Sequence, residues 1–293
     1  MRWLVTGAGG MLGRDLVEEL RTRDEQVTGL DHPALDITAP GAVDRALAAH
    51  RPDVVVNCAA YTAVDDAEQD EERALHVNGD GPRLLARACA AYEAGLIQVS
   101  TDYVFAGDAR TPYAEDAAPA PRTAYGRTKL AGERAVLDEL PDASAVVRIA
   151  WLYGVHGRNF VRTMMELEAR RDTVGVVDDQ RGQPTWSADV AATIADLGPR
   201  VGRDMTGVLH ATNSGEATWY DLAREVFRLL GADPDRVRPV TSEAFPRPAP
   251  RPAYSVLAHG RRQRLGLARA RDWRTALHEA LPRIRKETLR ETP

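Results

Sequence analysis

The 293-residue chain contains few cysteines and no long apolar segment. Its two cysteines, Cys58 and Cys89, lie in apolar surroundings, which predicts buried thiols in a reducing compartment rather than a disulfide or a metal site. No segment reaches the ~18 consecutive apolar residues that cross a bilayer, and the N-terminus MRWLVTGAGG lacks the apolar core of a signal peptide. We therefore expect a cytoplasmic protein that does not contact membranes.

Lysine is also scarce, because Lys129 and Lys286 are the only lysines among 38 cationic residues. The formal net charge of −5 gives no indication of nucleic-acid binding. Positive charge is nevertheless concentrated from Arg236 onward, where 14 lysines and arginines stand against 5 acidic residues, a local charge of +9. This excess predicts either an arginine-rich solvated surface or a basic wall that faces an anionic substrate.

Short apolar runs alternate with helical patterns through the first two hundred residues. Predicted strands are WLVTG (3–7), QVTGLD (26–31), DVVVNCAA (53–60), LIQVSTDYVF (96–105) and SAVVRIAWLYG (144–154), with helices at 11–23, 41–50, 72–92 and 125–140 between them. This alternation is typical of parallel β-α-β units, and strands that are apolar on both faces indicate helices on each side of the sheet. We predict an α/β fold: a doubly wound parallel sheet of the Rossmann type with a smaller α/β substrate domain.

The later part of the chain divides between the two predicted domains. The dinucleotide-binding domain would comprise residues 1–154 plus about 185–213, where VLHATN (208–213) returns to the sheet as a late strand. The substrate-binding domain would comprise about 155–184 plus 214–293. The segment PRPAPRP (246–252) predicts an extended backbone, since each proline disfavours helix in the residue before it. It could alternatively be a linker or a ligand for a partner.

The stretch GAGGMLG (7–13) follows the first strand and opens the first helix. Gly7 permits a tight turn, Gly10 lets the backbone approach a pyrophosphate, and Gly13 allows close packing of helix and strand. The positive end of the helix dipole then favours a phosphate. This motif predicts a dinucleotide site, with a glycine-rich turn that binds no ligand as the alternative.

The end of the second strand bears on the choice of dinucleotide. Asp31 would accept hydrogen bonds from an adenosine ribose and so favours NADH. Arg14 and Arg23 could instead bind the 2′-phosphate of NADPH, so the choice between NADH and NADPH stays open. Asp36 and Ile37 lie in the following loop, a suitable place for adenine contacts.

Tyr125 and Lys129 are four residues apart in a helical stretch and therefore share a face. A nearby ammonium lowers the pKa of a tyrosine, ordinarily ~10, and lets the phenol exchange a proton near neutral pH. Thr101 follows a strand at the carboxyl edge of the sheet, where its hydroxyl could bond a substrate carbonyl oxygen. Ser100 competes for this role, and Asn57–Tyr61 ends another strand beside the predicted cofactor.

Further motifs occur in a fixed order along the chain. They are NCAAYTAVDDAE (57–68), STDYVFAGDARTPYAED (100–116), YGRTKLAGE (125–133), RIAWLYG (148–154), NFVRTM (159–164) and DDQRGQPT (178–185). Together with the glycine loop they resemble the extended short-chain dehydrogenase/reductase family and, within it, the dTDP-4-dehydrorhamnose reductase family. The resemblance covers nearly the whole chain.

The resemblance implies reduction of the C4 ketone of a dTDP-4-keto-6-deoxyhexose by NADPH or NADH, chiefly dTDP-4-dehydro-L-rhamnose to dTDP-L-rhamnose. It implies catalytic roles for Thr101, Tyr125 and Lys129, and substrate contacts at Thr101, Asp102 and Trp151. Cofactor contacts are implied at Gly10, Met11, Leu12, Asp31, Asp36, Ile37, Ala59, Ala60 and Tyr61, in addition to Gly7, Gly13, Tyr125 and Lys129. A homodimer is possible, and some members use magnesium at a dimer contact. We predict no metal site, because the carboxylates of EQDEER (68–73) read as a solvated helix face.

The sequence departs from the family pattern in PRPAYSVLAHGRRQRL (250–265), where Tyr254 replaces the usual asparagine and no lysine follows. This region helps to shape the sugar-nucleotide pocket, so the sugar stays open. The chain could be a related dTDP-4-keto-sugar reductase of antibiotic sugar biosynthesis, such as the dihydrostreptose type. It could also be a non-catalytic cofactor-binding regulatory subunit, against which the intact Thr101, Tyr125 and Lys129 argue, or an epimerase or dehydratase of the same fold.

Overall fold

The computed structural model describes residues 1–291, whose twelve short strands form one large sheet and three small ones. The strands are β1 (Arg2–Thr6), β2 (Gln26–Leu30), β3 (Val54–Asn57), β4 (Gly95–Thr101), β5 (Ser144–Ile149), β6 (Leu152–Tyr153), β7 (Val174–Val177), β8 (Arg181–Gly182), β9 (Thr185–Trp186), β10 (Gly207–His210), β11 (Ala217–Thr218) and β12 (Val237–Val240). The large sheet has the order β10-β5-β4-β3-β1-β2, and all its neighbouring strands are parallel. The chain passes from β1 outward to β2 and then crosses to β3, so a crevice opens between the carboxyl ends of β1 and β3.

Ten α-helices within the described residues connect and cover these strands. They are α1 (Met11–Thr22), α2 (Pro40–His50), α3 (Glu71–Leu75), α4 (Gly81–Ala91), α5 (Ala124–Glu139), α6 (Phe160–Arg170), α7 (Ser187–Leu197), α8 (Trp219–Leu229), α9 (Gly260–Arg264) and α10 (Trp273–Glu291). Within residues 1–291, none of these helices combines the length and the apolar character that crossing a membrane requires.

Helices cover both faces of the large sheet because successive strand side chains point to opposite faces. Trp3 and Val5 of β1 pack on one face with residues of α1 and α7. Leu4, between them, packs on the other face with residues of α2, α4 and α5. The strands are therefore apolar on both sides, and the predicted doubly wound parallel sheet of the Rossmann type is confirmed.

A second hydrophobic core lies outside the large sheet. Val161 of α6, Phe227 of α8 and Trp273 of α10 are fully buried in it, and the parallel pair of β7 and β12 contributes further valines. The strand predicted at 208–213 does return to the large sheet, as β10 beside β5. The residue bounds of the two domains stay a prediction.

Two strands end before the last residue of the ranges predicted for them, both at the carboxyl edge of the sheet. β4 ends at Thr101, whose hydroxyl accepts a hydrogen bond from Tyr103 N (3.2 Å) and thereby caps a short 3-10 helix, Asp102–Val104. β5 ends before Trp151, which adopts a φ of 45°, in the left-handed region. The helix predicted at 72–92 is likewise divided, by a π-helical turn at His76–Asp80.

A buried ion pair joins α5 to β5. Arg148 Nε donates to Glu133 Oε1 (2.9 Å) and Arg148 Nη2 donates to Glu133 Oε2 (2.6 Å). The two side chains are only 3% and 2% exposed, and the guanidinium also lies 4.9 Å from the centroid of the Phe105 ring. Because a bidentate pair has a fixed geometry, it sets the position of α5 along the sheet.

Replacing Arg148 with methionine should lower the free energy of unfolding by about 3–5 kcal/mol, because the Glu133 carboxylate would remain buried without its partner. Chemical denaturation followed by circular dichroism measures this change. As a control, Arg127→Met removes the exposed ion pair of Arg127 with Glu71, whose contribution should be much smaller. Equal losses in the two variants would contradict the role given to the buried pair.

Candidate active site

A cleft of about 830 Å³ opens where the carboxyl ends of the central strands meet. This is the position expected for a ligand at the switch point of a parallel sheet. Most of the predicted site residues line it: Gly7, Gly10, Met11, Leu12, Gly13, Asp31, Asp36, Ile37, Ala59, Ala60, Thr101, Asp102, Tyr125, Lys129 and Trp151. Residues that are far apart in sequence thus meet in one cavity of a size suited to a cofactor.

The glycine loop forms a narrow turn with no room for side chains. Gly7 has a φ of +63°, and a Cβ at this position would lie 2.6 Å from Ala59 N. A Cβ on Gly13 would collide with the carbonyl oxygen of Gly7. Gly10 is the N-cap of α1, where no side chain of the described residues caps the helix and no acidic residue occupies the first turn. The first N–H groups of α1 are therefore available to a phosphate, and the loop fits the pyrophosphate of a dinucleotide.

Two carboxylates lie on the loop that follows β2, but they differ in their contacts. Asp31 is exposed to the cleft beside the glycine loop, and its Oδ1 accepts a hydrogen bond from Ala34 N (3.3 Å). Asp36 Oδ1 accepts hydrogen bonds from the hydroxyl (2.6 Å) and the N–H (2.9 Å) of Thr38, which lower the pKa of Asp36. Asp36 thus holds the loop, while the Asp31 carboxylate is exposed to the cleft.

Tyr61 is the one predicted contact residue that does not line the cleft. Its backbone is held by Asn78 of the π-helical turn, which accepts from Tyr61 N (2.8 Å) and donates to Tyr61 O (3.0 Å). Its ring packs against Ala67 and Ala74 instead. The structure therefore places Tyr61 outside the cleft, next in sequence to Ala59 and Ala60, which line it.

Helix α5 brings Lys129 deep into the cleft. Thr123 caps the helix by accepting a hydrogen bond from Gly126 N (3.0 Å). Lys129 is 4% exposed, and its Nζ donates to Val99 O of β4 (2.7 Å). Burial lowers the pKa of this ammonium to about 8. A bulkier, permanently charged guanidinium would need more space and more acceptors than this position offers.

Glu68 binds the first residue of α5, a contact that the sequence does not predict. Its Oε1 accepts a hydrogen bond from Ala124 N (2.8 Å), the first residue of the helix. Glu71 forms a bidentate pair with Arg127 one turn further along. The prediction of a solvated helix face at 68–73 is therefore wrong for Glu68, because acidic side chains favour a helix N-terminus.

The phenol of Tyr125 is protonated at neutral pH. Burial raises its pKa to about 12, with the nearby Thr101 hydroxyl opposing this effect. The net shift is therefore opposite to the predicted lowering, because burial dominates while the Lys129 ammonium donates to a backbone carbonyl. Tyr125 is therefore suited to donate a proton rather than to accept one.

Thr101 and Asp102 form a hydrogen-bonded pair beside Tyr125. Thr101 Oγ1 donates to Asp102 Oδ1 (3.0 Å), and Asp102 is 3% exposed. Burial raises the pKa of Asp102 to about 6, with the nearby hydroxyls of Ser255 and Thr101 opposing this effect. Asp102 Oδ2 is buried and has no hydrogen-bond partner of its own among the described residues.

The left-handed backbone at Trp151 directs its indole against Trp219. The two rings stack with centroids 3.6 Å apart and planes 3° apart, and Phe160 packs on Trp219 at 4.7 Å. Gly182 leaves the room for this ring, because a Cβ there would overlap it. Trp151 lines both the cleft and a second cavity next to it.

The family resemblance gives no role to Tyr103, yet this residue also lines both cavities. Its ring meets the ring of Tyr125 edge to face, with centroids 5.6 Å apart. Its place within STDYVF, directly after two predicted site residues, is the signal that could have identified it. Tyr254, where the sequence departs from the family pattern, lines neither cavity, and its hydroxyl donates to Glu216 Oε2 (3.1 Å).

In the part of the chain that the structure describes, one group of potential metal ligands occurs outside the cleft. Atoms of Asp15, Glu18 and His156 lie within 4.8 Å of one another. Asp15 is engaged by the hydroxyl of Ser187, and burial raises its pKa, which weakens it as a ligand. We therefore assign no metal to this group.

Known proteins resemble the chain over almost its entire length. A family model described as RmlD substrate binding domain matches residues 1–286. The chain is 62% identical over 285 residues to a probable dTDP-4,6-dihydroxy-2-methyloxan-3-one 4-ketoreductase of Streptomyces antibioticus, covering 97% of this chain and 96% of the relative. It is 58% identical over 285 residues to a dTDP-4-dehydrorhamnose reductase of Streptomyces griseus, covering 97% of this chain and 94% of that relative.

Two solved structures are similar to the whole fold. The crystal structure of a dTDP-4-dehydrorhamnose reductase from Clostridium acetobutylicum has a TM-score of 0.92 at 41% identity and covers 97% of this chain and 100% of that one. The dTDP-4-dehydrorhamnose reductase of Bacillus anthracis, solved in complex with NADP, has a TM-score of 0.92 at 36% identity and covers 96% and 98%.

Tyr125→Phe should reduce turnover of a dTDP-4-keto sugar by about a hundredfold to ten-thousandfold, because it removes the proposed proton donor. Dinucleotide binding, measured by fluorescence titration, should survive. The matched control is Tyr92→Phe, since Tyr92 lies under Arg51 and does not line the cleft. Full activity in the Tyr125 variant would remove the phenol from the mechanism.

Turnover should decline as the pH rises through about 8, because Lys129, with its pKa lowered to about 8, then loses its charge. The charged form predominates below this pH, so the activity lost is on the alkaline side. The measurement is the pH profile of kcat/KM, with protein stability checked at each pH. A profile that stays flat far above pH 8 would show that the charge of Lys129 is not required.

Proposed function

The chain belongs to the family whose model is described as RmlD substrate binding domain, and we propose that it is an NAD(P)H-dependent reductase of a dTDP-4-keto-6-deoxyhexose. The proposed substrate is dTDP-4-dehydro-L-rhamnose, whose C4 ketone becomes the hydroxyl of dTDP-L-rhamnose. One observation carries the proposal: Thr101, Tyr125 and Lys129 line the same cleft as a glycine loop that fits a dinucleotide. The names of relatives that are 58% and 49% identical, both dTDP-4-dehydrorhamnose reductases, support the choice of sugar.

In the proposed reaction, three side chains of this protein act at the ketone oxygen or on the proton that it receives. The reduced nicotinamide supplies a hydride to C4 when the cofactor is bound. Tyr125 donates its proton to the ketone oxygen as negative charge develops there, and the charge of Lys129 stabilises the tyrosinate that remains. Thr101 donates a hydrogen bond to the same oxygen. To do so, its hydroxyl must give up the hydrogen bond that it donates to Asp102 Oδ1.

We propose NADH as the preferred reductant. The Asp31 carboxylate lies in the cleft beside the glycine loop, where it would accept hydrogen bonds from a ribose and repel a 2′-phosphate. The NADP complex of the Bacillus anthracis relative makes NADPH the necessary comparison. We propose that the reaction takes place in the cytoplasm. We also propose that the protein is a homodimer, and a measurement of its molar mass in solution tests this assembly.

A related 4-keto sugar is the second candidate, and the names of similar proteins favour it. One is the Streptomyces antibioticus 4-ketoreductase; another is a dTDP-4-keto-6-deoxy-D-glucose reductase of Streptomyces niveus, 54% identical over 281 residues and covering 96% of each chain. The diphosphate and thymidine are common to all these substrates, so the difference lies in the hexose. A purely regulatory role is disfavoured, because Thr101, Tyr125 and Lys129 are all present and meet in one cleft.

The purified protein should oxidise NADH when it is given dTDP-4-dehydro-L-rhamnose. It should oxidise NADPH less efficiently with the same sugar. Absorbance of the reduced nicotinamide gives kcat/KM, and NMR of the product gives the configuration at C4. dTDP-4-keto-6-deoxy-D-glucose, assayed in parallel, tests the second candidate directly. Turnover of that sugar alone would reassign the substrate, and no turnover of either sugar with either cofactor would refute the reductase proposal.

A further inference from the structure

A small polar cavity, of about 170 Å³, lies between α7 and the segment that joins α9 to α10, and we call it the α7 cavity. Its lining shares no residue with the cleft or with the second cavity. The volume is below the ~300 Å³ at which pockets for small organic ligands begin. The α7 cavity therefore suits a small ion rather than a cofactor or a sugar nucleotide.

Arg262 of α9 lines the α7 cavity, although this residue is only 9% exposed. Its Nε donates to Ala268 O (2.5 Å), and its Nη1 donates to Thr193 Oγ1 (3.2 Å). Both acceptors are neutral, and within residues 1–291 no carboxylate lies at ion-pair distance from this guanidinium. A buried charge is ordinarily paired, because it has lost its hydration and needs compensation.

The two carboxylates that line the α7 cavity are already paired with other arginines. Asp196 Oδ1 accepts a hydrogen bond from Arg23 Nη1 (2.6 Å). Asp189 accepts hydrogen bonds from both Nε and Nη2 of Arg271. Burial lowers the pKa of Arg262, with the more distant charges of Asp196 and Asp189 opposing this effect. The guanidinium of Arg262 thus has no direct counter-ion in the described part of the chain.

Further hydrogen-bond donors line the same cavity. Arg269 is exposed and forms no ion pair with the residues that the structure describes. The N–H groups of Ala268, Arg269 and Ala270 donate to no other backbone group within residues 1–291. Arginines and free backbone N–H groups commonly bind phosphate. Three arginines (Arg262, Arg269 and Arg271) and two aspartates line the cavity, so its lining has a net charge of +1.

We propose that the α7 cavity binds an oxyanion of the size of inorganic phosphate, held by Arg262, Arg269 and the N–H groups from Ala268 to Ala270. The site lies outside the cleft and does not depend on the proposed reaction. α7 packs in the core of the large sheet, whereas the segment at 268–271 leads directly into α10 of the second core. An anion bound there would join the two cores, so phosphate should stabilise the folded protein.

Inorganic phosphate, titrated into the full-length protein by calorimetry, is the probe. Excess NADH and thymidine diphosphate keep phosphate out of the proposed cofactor and substrate sites. Arg262→Gln should weaken phosphate binding by about tenfold to a hundredfold, because charge-assisted hydrogen bonds are lost. Arg264→Gln is the matched control, since Arg264 is an exposed arginine of the same helix that does not line the cavity. Equal phosphate affinity in all three proteins, or no binding to the unaltered protein, would overturn the proposal.

Arg269→Gln is a second variant, and its folding should be unaffected because the side chain is exposed. Its phosphate affinity should also fall, by a smaller factor than in Arg262→Gln, since an exposed cation contributes less. Circular dichroism verifies the folding of each variant. If Arg262→Gln does not fold, unchanged phosphate affinity in Arg269→Gln is sufficient to reject the site.

Hydrogen exchange followed by mass spectrometry locates the anion. Relative to chloride at equal ionic strength, phosphate should slow exchange of the N–H groups in a peptide that covers 266–272, and Arg262→Gln should abolish this protection. Phosphate should also raise the midpoint of thermal unfolding more in the unaltered protein than in Arg262→Gln. Phosphate binding that protects no N–H group in this peptide would place the anion elsewhere and refute the site.

Discussion

The position of the proposed proton donor depends on how α5 is held against the large sheet. Lys129 binds Val99 O of β4, and Glu133, one helical turn later, pairs with Arg148 of β5. Both contacts are buried, so each would leave an uncompensated polar or charged group if the helix slid along the sheet. Two adjacent turns are therefore fixed to two adjacent strands. Tyr125, one turn before Lys129, is held at the edge of the sheet as a consequence.

Burial also shifts the pKa values of three ionisable side chains in the cleft. It raises the pKa of Tyr125 to about 12 and that of Asp102 to about 6, and it lowers that of Lys129 to about 8. Each shift favours the neutral form, as a low-dielectric environment requires. A protonated phenol is what ketone reduction needs, whereas oxidation of an alcohol would need the phenolate. The Tyr125 phenol, protonated at neutral pH, is thus available to donate a proton.

The sequence predicts the parts of this protein that follow from local patterns. Alternating apolar runs and helices predict the doubly wound sheet, and Gly7, Gly10 and Gly13 predict the turn at its switch point, because both depend on neighbouring residues. The stack of Trp151 on Trp219 is not predictable in this way, since a hydrophobic pattern indicates burial but not the partner. The sequence does not predict the second cavity for the same reason. The residues that line it are far apart in sequence, from Tyr103 to the proline-rich segment at 246–252.

The arginines of the basic segment from Arg236 onward lie in two kinds of surroundings. Arg236 pairs with Glu168 of α6 and Arg271 pairs with Asp189 of α7, so ion pairs neutralise part of the excess. Arg251 differs, because its carboxylate partner, Asp65, comes from the loop after β3 of the large sheet and leaves a second arginine only partly neutralised. The prolines around it keep that segment extended along the cavity, where a helix would turn its side chains away. Arg247 and Arg251 therefore place part of the positive charge at the second cavity, whereas Arg236 and Arg271 do not line it.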